Sequence, residues 1–61
     1  MKLHDLLRMT RGYFTVIDQF ETELFSSLDP DYIEKVNLYA EYDVLSITHE
    51  AEGNIIEIGV M

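Results

Sequence analysis

Apolar and polar residues alternate along the last third of the chain, and this alternation is the clearest structural signal in the sequence. Residues 42–49 and 54–60 are both rich in β-branched side chains, and the segment between them, 50–53, has the composition of a turn. The pattern therefore predicts a β-hairpin. The apolar residues that share one face of it, and so form the predicted core, are Leu45, Ile47, Ile56, Ile58 and Val60.

A helix and a second hairpin are predicted before this segment. Leucine residues recur at helical spacing near the start of the chain and Gly12 follows them, which predicts a first helix over residues 2–10. Residues 13–18 have strong strand propensity, and residues 21–26 are the predicted hairpin partner across a turn at 18–20.

Alternation within this first hairpin assigns its side chains to two faces. The inward-facing residues are predicted to be Phe14, Val16 and Leu24. Ile17 and Phe25 then lie on the opposite face. Either a second layer covers that opposite face or it associates with another molecule.

The Asp29-Pro30-Asp31 sequence predicts the start of a second helix. Asp29 is expected to cap the free amide groups of the first turn, proline suits the first helical position, and Asp31 complements the helix dipole. The helix is expected to end near residue 38 or 40. Its apolar stripe is predicted to comprise Tyr32 or Ile33, Val36, and Tyr39 or Ala40.

The predicted element order is therefore α-β-β-α-β-β. A chain of 61 residues forms one domain, so we expect a single acidic domain over residues 1–61. Its fold class is α+β, with two short helices against one face of a mostly antiparallel four-stranded sheet. The first residues lack the apolar run of a signal peptide, and no stretch is long enough to span a bilayer, so we expect an intracellular protein.

A domain this short buries only about 60% of the surface that its unfolded chain exposes. The sequence has no cysteine, so extra stability has to come from self-association, a bound partner or a metal held by histidine and carboxylate groups. The two histidines, His4 and His49, are predicted to meet at the rim of the core. With Asp5 or Glu50 they would offer ligands that zinc accepts. Ordinary rim histidines are the alternative interpretation.

The charge of the chain restricts its possible partners more than any other feature of its composition. The formal net charge is −8, and three of the four basic residues lie within the first eleven positions. From residue 12 onward the chain has eleven acidic residues and only one lysine or arginine, Lys35. Such a surface repels nucleic acid and anionic membranes but is attracted to basic grooves, including those that normally hold nucleic acid. The alternative is that the acidic surface only keeps the protein soluble.

Seven carboxylates occupy a predicted strand exterior and the start and exit of the second helix, and they are expected to form one anionic edge: Glu21, Glu23, Asp29, Asp31, Glu34, Glu41 and Asp43. Such an edge would enter a channel lined by lysine and arginine and exclude DNA or RNA. Alternatively, these residues are helix caps and solvated strand exteriors. Tyrosines are candidate interface anchors or core residues, namely Tyr13, Tyr32, Tyr39 and Tyr42.

No catalytic signature is present in the sequence. Ser26 and Ser27 have no neighbouring base, and the three glycines stand alone without forming a phosphate-binding loop. A chain of this length also has little volume for the substrate cleft that paired acids need. We therefore expect a protein that is not an enzyme.

The layout resembles a known group of proteins. It combines a Met-Lys-Leu-His-Asp-Leu-Leu start, a hairpin over residues 13–25, an Asp-Pro helix start, and a closing strand pair at 44–47 and 55–60. In size, charge and element order it is similar to small acidic phage and prophage proteins, among them anti-CRISPR inhibitors of type II-A Cas9. The resemblance implies a non-enzymatic inhibitor in the cytoplasm of the bacterial host that blocks DNA loading or activation of its target. The basic first segment departs from a pure DNA mimic and favours a protein–protein site.

Two functions are thus predicted. The first is an inhibitor that binds Cas9 or another bacterial nucleic-acid-handling protein without contacting nucleic acid itself. The alternative is a small self-associating structural or accessory phage protein, a homodimer that pairs through an exposed Ile17 and Phe25 face.

Overall fold

Two short helices cover one face of a four-stranded sheet in the computed structural model, which describes residues 1–59. The elements follow the predicted order: α1 (Leu3–Leu7), β1 (Phe14–Ile17), β2 (Glu23–Ser26), α2 (Tyr32–Tyr39), β3 (Val44–Glu50) and β4 (Gly53–Ile58). The predicted α+β class is therefore confirmed. Within the described residues, neither helix is long and apolar enough to cross a membrane.

The strand order in the sheet is β2-β1-β4-β3. β1 is antiparallel to β2, β3 is antiparallel to β4, and the central pair β1 and β4 is parallel. At one end of the sheet, the hairpin end, Phe14 lies opposite Asn54 and Glu50 opposite Gly53. At the other end, the far end, Val44 lies opposite Ile58. The sheet is therefore mixed, with two antiparallel pairings around one parallel pairing.

The core lies between the sheet and the two helices. Its fully buried side chains are Leu3, Val16, Phe25, Ile56 and Ile58. Val16 faces Phe25 on one side and Ile56 on the other, which places all three on the same face of the sheet. The Phe25 ring also stacks on Tyr39 of α2 at a centroid distance of 5.8 Å, and this contact joins the second helix to the sheet.

Phe25 was predicted on the face opposite the core, and this prediction is wrong. The register of β1 and β2 shifts, because Val16 pairs with Phe25 whereas Ile17 pairs with Glu23. Leu24 is therefore the extra residue of a β-bulge, and a bulge lets two successive side chains turn toward the same face. Leu24 packs against the core beside the buried Phe25. The proposed self-association face of Ile17 and Phe25 therefore does not exist as predicted.

The predicted burial of the second hairpin's core face is confirmed for Ile56 and Ile58, but it is wrong for two residues of β3. Leu45 is 49% exposed and Ile47 is 37% exposed. β3 is an edge strand of the sheet, so its side chains lie beyond the layer of helices even where they point toward the core face. Val44 packs against the core instead, and Val60 lies outside the described residues.

The first three residues extend the sheet beside the start of β3. The Leu3 N–H donates to the Tyr42 carbonyl oxygen, and the Val44 N–H donates to the Met1 carbonyl oxygen, both at 2.9 Å. Lys2 then lies opposite Asp43 as an isolated antiparallel bridge. This pairing directs the Leu3 side chain into the core, where α1 begins.

α2 begins two residues later than the Asp-Pro sequence suggested. Asp29 does not cap the helix, because its Oδ2 accepts a hydrogen bond from the Ser26 N–H at 3.0 Å and so faces back toward β2. Asp31 is the residue before the first turn, and its side chain makes no capping hydrogen bond. Val36 and Tyr39 form the core-facing stripe, so the predicted stripe is confirmed at these two positions and Ile33 is exposed.

Candidate functional site

A groove lies at the hairpin end of the sheet, between the turn that joins β3 to β4 and the loop that follows β2. Its volume is about 520 Å³, within the roughly 300–1,000 Å³ of typical ligand sites. Its lining combines aromatic, aliphatic and acidic side chains, chiefly Tyr13, Leu28, Glu50, Glu52 and Ile55. We name this feature the hairpin-end groove.

Gly53 fixes the β3–β4 turn against the start of β1. Its φ of 138° is a conformation that residues with a Cβ atom rarely adopt. A Cβ atom at this position would lie 2.7 Å from the Tyr13 carbonyl oxygen. The same oxygen accepts a hydrogen bond from the Asn54 N–H at 2.9 Å. Glycine therefore permits a close backbone approach that positions Tyr13 on one wall of the groove.

The Asn54 side chain connects three segments beside the groove. Its Nδ2 donates to the Arg11 carbonyl oxygen at 3.3 Å, which leaves its Oδ1 facing the imidazole of His49. His49 Nδ1 lies 2.6 Å from that oxygen. Because an amide oxygen only accepts hydrogen bonds, the imidazole donates from Nδ1. This network ties the loop before β1 to both strands of the second hairpin.

The opposite wall is the loop after β2, which is held by serine and aspartate side chains. Besides the bond from Ser26 to Asp29, the Leu28 N–H donates to Ser26 Oγ at 3.2 Å. The Phe14 N–H donates to Ser27 Oγ at 3.1 Å, and the Ser27 N–H donates to the Phe14 carbonyl oxygen at 2.9 Å. These bonds fix a loop in which Leu28 is 72% exposed, so an apolar side chain is presented to solvent at the groove.

The groove is suited to a cationic side chain with an apolar stem. Tyr13 is 62% exposed and presents its ring, while Glu50 and Glu52 are exposed acids on the same lining. Neither acid has a basic partner within 4.0 Å in residues 1–59. A lysine or arginine side chain would pack its methylene groups on Tyr13 and Leu28 and place its charged head near the carboxylates.

The structure divides the seven predicted partner-binding carboxylates between the two ends of the sheet. Asp29 and Asp31 lie in the loop between β2 and α2, at the hairpin end, and Glu34 follows in the first turn of α2. The other four lie at the far end, where β2 and β3 begin: Glu21, Glu23, Glu41 and Asp43. α2 runs between the two groups, and its eight residues span about 12 Å.

Some of these carboxylates already have partners. Lys2 Nζ lies 2.8 Å from Asp43 Oδ1. The hydrogen bond from Lys2, and then its charge, lowers the pKa of the Asp43 carboxyl group, while the same pair raises the pKa of Lys2. Glu41 Oε1 lies 3.5 Å from His4 Nε2. Four predicted acids are exposed and have no basic group within 4.0 Å in the described residues: Glu21, Glu23, Asp31 and Glu34.

The two predicted zinc ligands lie at different ends of the sheet. His4 is near the far end, where its Nδ1 is 3.3 Å from Asp5 Oδ1. His49 is at the hairpin end, five residues beyond the start of β3, or roughly 16 Å along the strand. Residues 1–59 contain no group of three side chains that could hold a metal ion. The structure therefore does not bring His4 and His49 together, and zinc binding by either one stays a prediction.

The tyrosines divide into core and surface residues. Tyr39 and Tyr42 pack against the core, with their rings 5.1 Å apart and edge to face. Tyr32, on the first turn of α2, is exposed. Only Tyr13 lines the hairpin-end groove, which resolves the open assignment of this residue in favour of the surface.

Sequence reasoning missed Leu28 and Glu52 as site residues. Leu28 is an isolated apolar residue between two serines and an Asp-Pro pair, and an apolar residue in such a polar loop is a signal of a contact surface. Glu52 belongs to a two-residue turn whose neighbours in space come from elsewhere in the chain. No local pattern could have revealed its position.

In a comparison with known proteins, no protein-family model, no curated protein and no solved structure matches this chain. Its function is therefore inferred from the charge and the geometry of its own residues.

Proposed function

We propose that this protein is a non-enzymatic inhibitor that binds a cationic surface of a bacterial nucleic-acid-handling protein, with Cas9 as the first candidate. It would be of phage origin and act in the cytoplasm of the bacterial host. The observation that carries the proposal is a pair of exposed acids, Glu50 and Glu52, that have no basic partner within residues 1–59 and line a groove with Tyr13 and Leu28.

Charge provides the long-range attraction. The net charge is −8, and Lys35 is the only basic residue after Arg11. In the described residues, Asp43 is the only acid within 4.0 Å of a lysine or arginine. The negative field is therefore little neutralised within the domain, and a partner lined with lysine and arginine would associate quickly at low salt.

The hairpin-end groove provides the short-range contact. Glu50 and Glu52 would meet the charged head of a lysine or arginine from the partner, and the Tyr13 ring would pack against its stem. An aromatic residue beside charge is the composition that interface anchors favour. We assign the main contact to this end because the far-end acids Glu41 and Asp43 already face His4 and Lys2.

The groove also explains why the contact would be with protein. Arg11 lies in the loop before β1, and its carbonyl oxygen is bound by Asn54 beside the groove. A basic residue in this loop suits the mixed charges of a protein surface better than a uniform imitation of phosphate groups. Inhibition would then follow because the bound domain blocks the channel that DNA must enter or the movement that licenses cleavage.

Two double variants of equal charge test the proposal. Glu50→Lys with Glu52→Lys alters the groove, and Glu21→Lys with Glu23→Lys alters the far end, so each pair changes the net charge by the same amount. Inhibition of Cas9 cleavage would be measured against inhibitor concentration, together with the association and dissociation rates at low and high salt.

Wild-type inhibition should reach its plateau near one inhibitor per effector and weaken as salt rises. Both double variants should associate more slowly, but only the groove variant should also dissociate faster, because only that variant loses short-range contacts. No inhibition at large excess would remove Cas9 as the target. If neither variant altered capture of any cationic protein from bacterial lysate, the acidic surface would serve only for solubility.

A further inference from the structure

The outer edge of β3 has no partner strand along most of its length. β3 is the last strand in the order β2-β1-β4-β3. Residues 1–3 cover this edge only as far as Val44. From Leu45 to Glu50, no other strand of residues 1–59 lies beside it. Every second residue of β3 directs its N–H and C=O groups away from the paired strand β4. This edge therefore presents unpaired backbone groups to solvent.

This edge also lacks the usual protection against pairing. Residues 45–49, Leu-Ser-Ile-Thr-His, contain no lysine, proline or acid, although charged residues make up 26% of the chain. Leu45 and Ile47 are both exposed. Proteins normally guard an exposed edge with charges, proline or bulges. The bulge in β3 lies between Val44 and Ser46, at the end that the first residues already cover.

We propose that β3 pairs antiparallel with β3 of a second copy, so that two four-stranded sheets join into one of eight strands. The interface is isologous, because a twofold axis places the same edge on both copies. With the axis at Ile47, this residue faces its own counterpart, Ser46 faces Thr48, and Leu45 faces His49. Aliphatic pairs and serine–threonine pairs are both favourable across antiparallel strands, and no like charges face each other over these five residues.

Charge at the two ends of this window favours a second copy over a basic peptide. Just beyond these five residues, Glu50 of one copy approaches the first residues of the other copy, where Met1 already pairs with Val44. Lys2 of that copy sits on the outer side of the strand, opposite Asp43. Each copy therefore brings an acid toward the other copy's lysine, and the symmetry provides this contact twice. A basic peptide strand would find no acid along residues 45–49.

The apolar side chain of Ile47 also favours a second copy of the chain as the partner at this edge. Ile47 lies opposite the buried Ile56 on the core face of the sheet, at the margin of the helical layer. Pairing through β3 brings the two Ile47 side chains together at the axis and extends the core across the interface. The β3 edge is thus the self-association surface in place of the predicted Ile17 and Phe25 face. Pairing through this edge does not depend on the inhibitory function.

The salt dependence distinguishes this dimer from binding to a cationic partner. Two copies of net charge −8 repel each other, and salt screens that repulsion, because the Debye length falls from about 10 Å at 0.1 M to about 3 Å at 1 M. Self-association should therefore strengthen as salt rises, whereas attraction to a basic protein weakens.

Sedimentation equilibrium of the full chain at these two salt concentrations tests the proposal. The wild type should show twice the monomer mass at high protein concentration, with a tighter dimer at 1 M salt. Ile47→Lys and Ile47→Glu should each weaken the dimer at least about tenfold, since like charges then face each other at the axis. An equimolar mixture of the two variants should restore pairing. Ile33→Lys, on an exposed isoleucine of α2, is the matched control and should dimerise like the wild type.

Amide hydrogen exchange provides a measurement that needs no variant. In the wild type, amides among residues 45–49 should exchange more slowly as protein concentration rises, while amides of β2, the other edge strand, should not change. A monomer at every concentration and salt, exchange at residues 45–49 that ignores concentration, or a folded Ile47→Lys variant that dimerises like the wild type would each overturn the proposal.

Discussion

Gly53→Ala is the most informative single change, because two separate costs meet at this residue. The backbone φ of 138° is unfavourable for alanine, and conformations of this kind cost about 1–3 kcal/mol each. The new Cβ atom would also lie 2.7 Å from the Tyr13 carbonyl oxygen, so one of the two backbones has to move. That movement weakens the hydrogen bond from Asn54 to the same oxygen, a loss of about 0.5–1.5 kcal/mol.

An alanine variant also gains about 0.4–1 kcal/mol of stability, because alanine reduces the conformational entropy of the unfolded chain. The expected net loss is therefore about 0.5–4 kcal/mol of unfolding free energy, with a central value of about 2 kcal/mol. A domain of 61 residues has a total stability of about 3–9 kcal/mol, so this one methyl group removes a large share of it. At about 4–8 °C per kcal/mol for a small domain, the central value corresponds to a fall in melting temperature of about 8–16 °C.

Gly12→Ala is the matched control for this prediction. Gly12 also has a positive φ, 84°, but an added Cβ atom would meet nothing within 4 Å. Its cost should be confined to backbone strain of about 1–2 kcal/mol, less the same entropic gain of about 0.4–1 kcal/mol. Thermal and urea unfolding of both variants, followed by circular dichroism, measure the difference. If Gly53→Ala loses no more stability than Gly12→Ala, the close approach to Tyr13 does not constrain the hairpin and the groove wall is built differently.

Three other changes have defined outcomes. Phe25→Ala should lower the unfolding free energy by about 3–5 kcal/mol, because the buried ring contacts Tyr39; retention of wild-type stability in urea would contradict its core position. Glu21→Gly should raise the melting temperature by a few degrees, since Glu21 has a φ of 64° that glycine adopts without strain. Asp43→Asn should remove a pH-dependent part of stability. Because pairing lowers the pKa of Asp43, its contribution to stability is present above pH 3.8 and is lost as pH falls through the folded-state pKa. If Lys2 did not pair with Asp43, urea unfolding of the wild type and the variant would show the same dependence on pH across that range.

The order and type of the elements could be predicted because each segment has its own periodicity. Alternation in β1 and β4 and the apolar spacing in α2 are local signals, and all three elements are present, although α2 begins two residues later than predicted. The parallel pairing of β1 with β4 could not be predicted, since nothing in either strand specifies which neighbour it takes. The burial of Phe25 was missed for a related reason. A bulge at Leu24 shifts the register, and no glycine or proline nearby marks its position in the sequence.

The position of β3 at the edge of the sheet explains the misplacement of Leu45 and Ile47. Alternation predicts which side of a strand a residue faces, but burial depends on whether the strand is central or peripheral. The candidate site has the same limitation. Its lining comes from the start of β1, the loop after β2 and the β3–β4 turn, so neither Leu28 nor Glu52 had a local partner in the sequence. The acidic character of the surface was predictable, because it depends on composition alone.

The central parallel pair also governs how the chain can reach its native state. β1 belongs to the first hairpin and β4 to the second, and Val16 and Ile56 become neighbours only when these two hairpins meet. Each hairpin completes its buried face only at that encounter, because Val16 and Ile56 lie side by side in the core. Forming the native state therefore depends on closing one long loop around α2, which makes folding slower than for a helical bundle of this length. It also makes the core of each half of the chain depend on the other half.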